Sequence, residues 1–444
     1  MDYEYEKLIS RMNPPRVVID NSACENATVI KVNCVNKHGI LFEVVQFLTD
    51  LKLIIRKSYI SSDGAWFMDV FNVIDHNGKK LKDERAISYI RDACVKWSLE
   101  TEACCPPSLR SSVGLIPFKE HTSIELIGSD LPGLLSEICA VLRDLGCNVR
   151  QAEVWTHNAR AAAVVRVTDA CTVSPIEDPK LLTTIKEFLC NVLRGNSDQR
   201  SAKMIVSLGE TGTERRLHQI MFADRDYERV GMERAEDKSS RPQVAPLDCF
   251  EMDYTVVTMR SKDRPKLTCD TVCTPTDLEY VVFHGKVDTG NMEAYQEYDI
   301  RHKDGIPVST EAERQRVTQC LEAAIESRAS EGLELELRTD DPLGILSDIT
   351  RIFRENGLTI KTAEISTTGG KVIGTFYVTD VSSHPVDAKT IDSIRQQIGQ
   401  TILRVKQSPF LSSEPPREQA TGCLFRNFFK ALSLQNFGLA GSYS

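Results

Sequence analysis

The chain has 444 residues, of which 41% are hydrophobic and 26% are charged, with a formal net charge of −9. This length is enough for roughly three domains. The acidic balance excludes a nucleic-acid binder that works by bulk charge, and no run approaches the roughly 18 apolar residues of a transmembrane helix.

The chain begins with the acidic segment MDYEYEKLIS, which predicts neither a secretory signal nor an organelle transit peptide. We assign residues 1–25 to an N-terminal segment and residues 26–98 to a first module. Within this module, a turn over residues 36–39 precedes a helical pattern. Residues 53–60 and 65–74 then predict two strands.

After a linker at residues 99–118, a second module is predicted over residues 119–208. It contains SDLPGLLSEICAVLRDLGCNV at residues 129–149, in which apolar residues recur at helical spacing. A second amphipathic helix and a short closing strand over residues 204–208 complete the module.

A charged linker is predicted over residues 209–250, a third module over 251–330 and a fourth over 331–406. The fourth contains DDPLGILSDITRIFRENGLTI, which matches the second module without a gap. A C-terminal tail over residues 407–444 is rich in Phe near its end. Two interpretations of the tail stay open: an amphipathic contact with a membrane or partner, or a segment that folds back onto the modules.

Four copies of one pattern therefore organise the chain. An Asp or Asn stands at positions 36, 130, 263 and 341, with spacings of 94, 133 and 78 residues. A strand pattern precedes each copy, and a helix, two strands and a second helix follow it. A short strand closes the second and fourth copies, at residues 204–208 and 402–405, but no separate closing strand is evident for the third. The predicted fold class is α+β, with four tandem ferredoxin-like βαββαβ modules.

Modules of this size are marginally stable alone, since each buries only about 60% of its unfolded surface. Their open sheet edges would also invite pairing. We therefore expect the modules to pair side by side into extended antiparallel sheets with helices on one face. Because the linkers fall between whole repeats, the expected pairs are the first module with the second and the third with the fourth.

The chain resembles plant proteins built from repeated ACT domains, the small amino-acid-sensing modules of metabolic enzymes. The resemblance rests on ISRMNPPRVVIDN (9–21), YISSDGAWFMDVFNV (59–73), TERRLHQIMFADRDYE (213–228), YVVFHGKVDT (280–289) and GLELELRTDD (332–341). It implies non-catalytic binding of an amino acid and a role in nitrogen or amino-acid signalling. Modules of this kind also form the tail of the bacterial uridylyltransferase that reports glutamine status.

The turn before the first helix of each module is the predicted ligand site, as the resemblance also implies. A helix N-terminus offers backbone N–H groups and a partial positive charge to a carboxylate. A glycine there lets the ligand approach the backbone, and an aspartate is suited to the ligand's ammonium. The predicted binding residues are Asp130, Gly133 and Leu134 in the second module, Asp341, Gly344 and Ile345 in the fourth, and Asn36 and Gly39 in the first.

A structural interpretation competes with ligand binding at these turns. Asp before a helix is a common N-cap, and Gly or Pro there is ordinary turn chemistry. Asn36 keeps a capping oxygen but loses the charge, so we rank the first turn below the second and fourth. In the third module Lys266 replaces the glycine, which indicates a structural module.

The charged linker contains a short mimic of a catalytic motif. Asp224 and Asp226 follow a Gly-Thr pair with the approximate spacing of the Mg²⁺-binding carboxylates of nucleotidyltransferases. The motif is short and no transferase-sized domain surrounds it. We favour a linker in which arginines pair with neighbouring carboxylates and hold it to a sheet. These arginines are Arg215, Arg216 and Arg225.

The 14 Cys and eight His residues are scattered, without C-x-x-C or H-E-x-x-H motifs. They predict reduced thiols, and neither a metal site nor a cofactor. The protein is thus predicted to be a non-catalytic sensor of a free amino acid, with glutamine or another neutral amino acid as candidate. The alternative is an interaction scaffold that no longer binds an amino acid. The predicted location is the cytoplasm, with the nucleus as an option; an unidentified protein partner and a homo-oligomer are further options.

Overall fold

The computed structural model describes residues 16–36, 38–63, 66–99, 121–194, 203–207, 212–225, 227–228, 241–249, 253–290, 292–328, 332–382, 384, 386–399 and 402–405. These residues form two eight-stranded antiparallel sheets with helices packed on them. Each sheet combines strands from two modules, which confirms the predicted α+β class.

The first two modules contribute eight strands and four helices. The first module comprises β1 (Arg16–Asp20), β2 (Thr28–Val35), α1 (Ile40–Asp50), β3 (Ile54–Asp63), β4 (Trp66–Ile74) and α2 (Glu84–Leu99). The second comprises β5 (Thr122–Ser129), α3 (Leu134–Asp144), β6 (Cys147–His157), β7 (Arg160–Asp169), α4 (Pro179–Arg194) and β8 (Lys203–Ser207).

An extra helix and strand precede the third module: α5 (Thr213–Ala223) and β9 (Gln243–Cys249). The third module continues with β10 (Tyr254–Lys262), α6 (Leu267–Asp277), β11 (Tyr280–Gly290), β12 (Glu293–His302) and α7 (Glu311–Ser327). The fourth comprises β13 (Leu333–Asp340), α8 (Ile345–Glu355), β14 (Leu358–Thr368), β15 (Lys371–Asp380), α9 (Ala388–Ile398) and β16 (Leu403–Val405).

The strand order shows that the expected module pairs are wrong. Sheet A runs β1-β2-β4-β3-β11-β12-β10-β9, so the first module pairs with the third. Sheet B runs β16-β13-β15-β14-β6-β7-β5-β8, so the second module pairs with the fourth. Every module presents the same edge strand for pairing. The spacing of the repeats therefore did not determine which edges meet.

The fourth strand of a module has two different origins. In the second and fourth modules, β8 and β16 follow their modules and pair with β5 and β13, as the βαββαβ order predicts. In the first and third modules, β1 and β9 precede their modules and pair with β2 and β10. The strand that the sequence did not reveal for the third module is thus β9. It lies in the segment assigned to the charged linker, and its Pro246 is acceptable because β9 is an edge strand.

Each pair of modules shares one hydrophobic core between its sheet and its helices. Ile30 and Phe71 of the first module cluster with Val257 and Tyr298 of the third. The second and fourth modules share an equivalent core. Pairing therefore doubles the core available to each module, which answers the stability problem of a small domain.

Sheet B is also covered on its second face. Seven of the eight residues of β5 are buried, because α5 packs against the face opposite α3 and α4. The contact joins Ile127, Trp155, Ala162 and Val164 of the sheet to Leu217, Ile220 and Met221 of α5. The insert between the second and third modules thus contributes to the core.

A β-bulge interrupts the same strand of every module. The strand register shifts between Ile55 and Lys57, Val149 and Gln151, Val282 and His284, and Ile360 and Thr362. The bulged residues are therefore Arg56, Arg150, Phe283 and Lys361. Each follows the Asp or Asn of its own module by 20 residues.

One buried acid of sheet A has an unusual environment. Asp69 in β4 is 1% exposed, and its Oδ1 accepts a hydrogen bond from the Ser61 backbone N–H at 3.0 Å. Its Oδ2 has no hydrogen-bond partner among the described residues. Burial raises the pKa of Asp69 well above its ordinary value of 3.8, against the hydrogen bond from Ser61. Asp69 therefore favours the protonated form in the folded state.

We expect Asp69→Asn to increase the free energy of unfolding at neutral pH. The folded pKa is raised, so the wild type loses stability as pH rises from 3.8 towards that pKa. The Asn variant lacks this loss, and its advantage should grow over the same pH interval. Urea unfolding between pH 4 and 8 tests this. The exposed Asp392→Asn serves as the control, and a pH-independent difference for Asp69→Asn would contradict the interpretation.

Candidate functional site

The predicted ligand-binding turns lead into helices that begin at a left-handed residue. Gly39, Gly133 and Gly344 have φ of 84°, 80° and 85° and precede α1, α3 and α8. Lys266 takes the same conformation before α6, at φ 66°. No side chain caps any of the four helices. The interpretation of the aspartates as N-caps is therefore wrong, and a glycine is used because it adopts positive φ without strain.

The second turn borders a cavity at the seam between the second and fourth modules. Asp130, Gly133 and Leu134 line it, so the structure brings the predicted residues of this module together. The fourth module contributes Thr350 and Arg354. The rest of the lining is mainly aliphatic, including Leu126, Ile138, Val154, Leu358 and Ile360. The centre of a water molecule can occupy a volume of about 30 Å³ in this cavity. This volume is enough for about two water molecules.

Both predicted aspartates face basic residues of the partner module. Asp341 Oδ2 lies 3.3 Å from Arg150 Nη1 and accepts a hydrogen bond from Asn148 Nδ2 at 3.4 Å. Asp130 Oδ2 lies 4.0 Å from Lys361 Nζ. Burial raises the pKa of Asp130, and Lys361 opposes that shift. The ion pair of Asp130 with Lys361 is thus longer than that of Asp341 with Arg150.

Arginines cover the two glycines from across the seam. A Cβ at Gly133 would lie 2.4 Å from Cδ of Arg354, and one at Gly344 would lie 2.6 Å from Cδ of Arg143. Arg354 also pairs with Glu137 of α3. In the reciprocal contact, Arg143 Nη1 lies 3.5 Å from Asp348 Oδ1 of α8.

These two arginines were not among the predicted site residues, although the sequence contains a signal for them. Arg143 follows Asp130 by 13 residues, and Arg354 follows Asp341 by the same distance. The first and third modules have Thr49 and Thr276 at this offset. A search for charged residues that recur in only two repeats would have found them.

The remaining predicted positions are not brought to this cavity. Asp341, Gly344 and Ile345 form the related turn on the opposite side of the seam. Asn36 and Gly39 lie in the turn of the first module, whose strands belong to sheet A, and a Cβ at Gly39 would have no neighbour within 4 Å.

The turn of the third module is occupied by ion pairs. Lys266 Nζ lies 2.5 Å from Glu214 Oε1 of α5 and 3.2 Å from Glu364 Oε2 of β14. Burial lowers the pKa of Lys266, but the carboxylates outweigh it and raise the pKa above its usual value. The lysine therefore connects its module to the insert and to the fourth module.

Buried charges converge on Arg328 at the end of α7. Its guanidinium lies 3.5 Å from Glu153 Oε1 and from Glu214 Oε1, and 3.6 Å from Asp270 Oδ1. It also stacks over Trp155, with 4.4 Å from Cζ to the ring centroid. This group, called here the Arg328 cluster, joins the second module, α5 and the third module.

The acids of the Arg328 cluster titrate differently. Burial raises the pKa of Asp270, but Arg328 and Arg264 outweigh it and hold that pKa well below the usual range. Burial dominates at Glu153 and raises its pKa to about 7, although Arg328 opposes the shift. Burial raises the pKa of Glu214 as well, but Arg328 and Lys266 outweigh it and lower that pKa. The cluster therefore contains two acids that favour the ionised form and one that titrates near neutrality.

The arginines of the insert pair with carboxylates, as we predicted. Arg216 Nε donates to Glu125 Oε1 of β5 at 2.7 Å, and Arg215 Nη2 donates to Asp277 at 2.8 Å. Arg225 pairs with Glu228. The Asp224 carboxylate, one half of the catalytic mimic, accepts from Arg160 Nε at 2.8 Å. Asp224 thus has a structural partner.

Some predictions fall outside the described residues. These are Asp226, residues 1–15 of the N-terminal segment, residues 100–118 of the first linker and the C-terminal tail over residues 407–444. Within the described parts of the chain, no His, Cys, Asp and Glu residues cluster as metal ligands. No helix in those parts has the length and apolar character needed to cross a membrane.

Comparison with family models assigns three of the four modules. Residues 23–105 match the ACR family N-terminal ACT domain, and residues 122–190 and 334–399 each match the ACT domain. These ranges contain the turns at Gly39, Gly133 and Gly344.

Related proteins extend the match over nearly the whole chain. The Arabidopsis thaliana ACT domain-containing protein ACR6 is 60% identical, covering 97% of this chain and 99% of the relative. ACT domain-containing protein ACR4 of the same plant is 58% identical, covering 100% and 99%. The bifunctional uridylyltransferase/uridylyl-removing enzyme of Azospirillum brasilense is 42% identical over 79 residues, which are 18% of this chain and 8% of that enzyme. With its four modules, this chain belongs to the ACR family of ACT domain proteins.

Proposed function

We propose that the protein is a non-catalytic regulator that binds a free amino acid at the seam between its second and fourth modules. The observation that carries this proposal is the cavity between the modules, lined by Asp130, Gly133 and Arg354. It combines an acid, an uncapped helix N-terminus and a guanidinium beside aliphatic walls. Membership of a family of ACT domain proteins supports amino-acid binding as the general role.

The two poles of a free amino acid each have a partner in this arrangement. The first-turn N–H groups of α3 carry no side-chain cap and suit a carboxylate, and Arg354 lies beside them. Asp130 is assigned to the ammonium, because Lys361 holds it only at 4.0 Å. The aliphatic wall then faces an uncharged side chain, which favours a neutral amino acid, with glutamine as the first candidate.

Ligand entry requires a change at the seam, since the cavity has room for only about two water molecules. Arg354 is the element that moves in our proposal, because its side chain is 39% exposed and lies over Gly133. Binding would then bias the contact between α3 and α8. A ligand that prefers one arrangement of this contact shifts the protein towards it.

The turns of the fourth and first modules are weaker candidates for ligand binding than the turn of the second module. Asp341, Gly344 and Ile345 offer the same backbone geometry, but Arg150 and Asn148 already hold the acid. Asn36 and Gly39 lack both the charge and the covering arginine. We further propose that the protein signals nitrogen or amino-acid status. It would act in the cytoplasm, with the nucleus as an option. The alternative function is an interaction scaffold without an amino-acid ligand.

A thermal-shift screen of the twenty standard amino acids should identify the ligand, since binding to the native state raises its stability. For the best ligand, we expect Asp130→Asn to weaken binding about ten- to hundredfold in calorimetric titration, through loss of a charge-assisted contact. Asp341→Asn should have a smaller effect. The exposed Asp144→Asn at the end of α3 is the control.

The affinity should also fall on acidification, and earlier than for an exposed carboxylate. Burial raises the pKa of Asp130, so the charge that holds the ammonium is lost at a higher pH than usual. Equal affinity of wild type and Asp130→Asn at every pH would contradict the assigned role. No response to any amino acid would favour the scaffold.

A further inference from the structure

Turn residues of one module meet bulge residues of its partner at both seams. Three contacts join an acid to a base: Arg56 Nη1 with Asp263 Oδ2 at 3.3 Å, Arg150 Nη1 with Asp341 Oδ2 at 3.3 Å, and Lys361 Nζ with Asp130 Oδ2 at 4.0 Å. The acids are the buried partners. The side chains of Asp263 and Asp341 are only 5% and 6% exposed.

In the fourth combination of a turn residue with a bulge residue, both residues are uncharged. The bulge residue of β11 is Phe283, and the corresponding turn of its partner, the first module, carries Asn36. The one module without an acid at its turn is thus paired with the one module without a base at its bulge. Charge is matched at all four positions.

The backbone itself does not distinguish one seam from the other. Five residue pairs join β11 to β3, from His284 with Ser61 to Asp288 with Lys57. Five pairs join β14 to β6 at the equivalent positions. Because every module offers the same edge in the same register, the choice of partner has to come from side chains.

We propose that the turn residue and the bulge residue together form a pairing code that selects which modules share a sheet. Four modules can form two pairs in three ways. Pairing the third module with the fourth would set Phe283 against Asp341, and pairing it with the second would set Phe283 against Asp130. Both leave a buried acid without its cation, which is strongly unfavourable. Only the observed arrangement matches every position.

Cysteine reporters in the full-length chain can measure the choice of partner. Tyr59, Lys286 and Glu364 occupy equivalent positions, and Lys286 lies opposite Tyr59 in the observed register. A chain carrying Tyr59→Cys, Lys286→Cys and Glu364→Cys is unfolded in urea, refolded under a thiol–disulfide buffer and mapped by mass spectrometry. Position 286 joins position 59 when the observed pairs form, and position 364 when the third module pairs with the fourth.

The test variant moves the neutral bulge from the third module to the second, as Arg150→Phe with Phe283→Arg. The matched arrangement then becomes first with second and third with fourth. We expect the ratio of the 286–364 to the 286–59 disulfide to rise at least about tenfold, which corresponds to about 1.4 kcal/mol.

The matched control is Arg150→Lys with Phe283→Leu, which changes the same two positions but keeps a base at one and an apolar residue at the other, so it should keep the native disulfide. If the test variant aggregates while this control refolds, the mismatch is responsible and the proposal is supported. A test variant that refolds with the 286–59 disulfide and wild-type stability overturns it. Failure of both chains to refold also overturns it, because a chain with matched charges at every position would then not find its native partners.

Discussion

Replacing Arg328 by Ala is expected to lower the free energy of unfolding by about 3–5 kcal/mol, because it leaves buried carboxylates without their cation. The guanidinium lies within 3.6 Å of oxygens of Glu153, Glu214 and Asp270. Asp270 is fully buried and keeps Arg264 and His218 as partners after the change. Loss of the stacking contact with Trp155 adds to the cost.

Urea unfolding of wild type and variant tests this expectation. The matched control is Arg338→Ala, since Arg338 pairs with Glu336 but is 61% exposed. Exposed ion pairs contribute about 0–1 kcal/mol, so the control should change little. A similar loss in both variants would mean that burial of the Arg328 cluster does not determine its contribution.

Glu153→Gln offers a second measure of the same cluster. The pKa of Glu153 is raised to about 7 by burial, so the wild type should lose stability as pH rises from 4.5 towards 7. The Gln variant should show less of this loss.

Gly133→Ala should destabilise the protein more than Gly39→Ala, although both glycines precede the first helix of a module. Each has positive φ, which costs an L-residue about 1–2 kcal/mol. Only at Gly133 would the new Cβ meet a neighbour, with Arg354 Cδ at 2.4 Å and no close atom at Gly39. The difference between the two variants isolates the contact across the seam.

A double-mutant cycle with Arg354→Ala separates strain from contact. Removing the arginine should bring the cost of Gly133→Ala down to that of Gly39→Ala. If the excess persists without Arg354, backbone conformation alone accounts for it. Ligand binding, where the screen finds a ligand, should be lost in Gly133→Ala, because the methyl group narrows the cavity beside α3.

The sequence predicted the modules and their turns because these depend on local patterns. The helical spacing after Gly133 and Gly344 and the alternation in β13 can be read from residues close together in the sequence, and the structure has the expected elements there. The glycines were correctly placed at the helix starts. Their role differed from the expectation, since no aspartate caps the first helix of a module and positive φ explains the glycine.

The module pairs and two edge strands were not predictable in this way. All four modules present equivalent edges, so hydrophobic periodicity contains no information on partners. β1 and β9 are short and lie at sheet edges. They precede their modules, whereas the βαββαβ repeat places the corresponding strand after the second helix. The candidate cavity likewise combines residues 224 positions apart, Asp130 and Arg354, that meet only through the seam.

Interlaced pairing also sets an order of events during synthesis. Ser61 of β3 has to wait for His284 of β11, and at roughly 5–20 residues per second the delay is on the order of 10–45 s. In that interval the first and second modules emerge next to each other, each with an unpaired strand edge of the same register. In the nascent chain, the first module therefore meets the second module before it meets its native partner, the third. Truncated mRNAs that end before the third module should yield protein that aggregates through these unpaired edges.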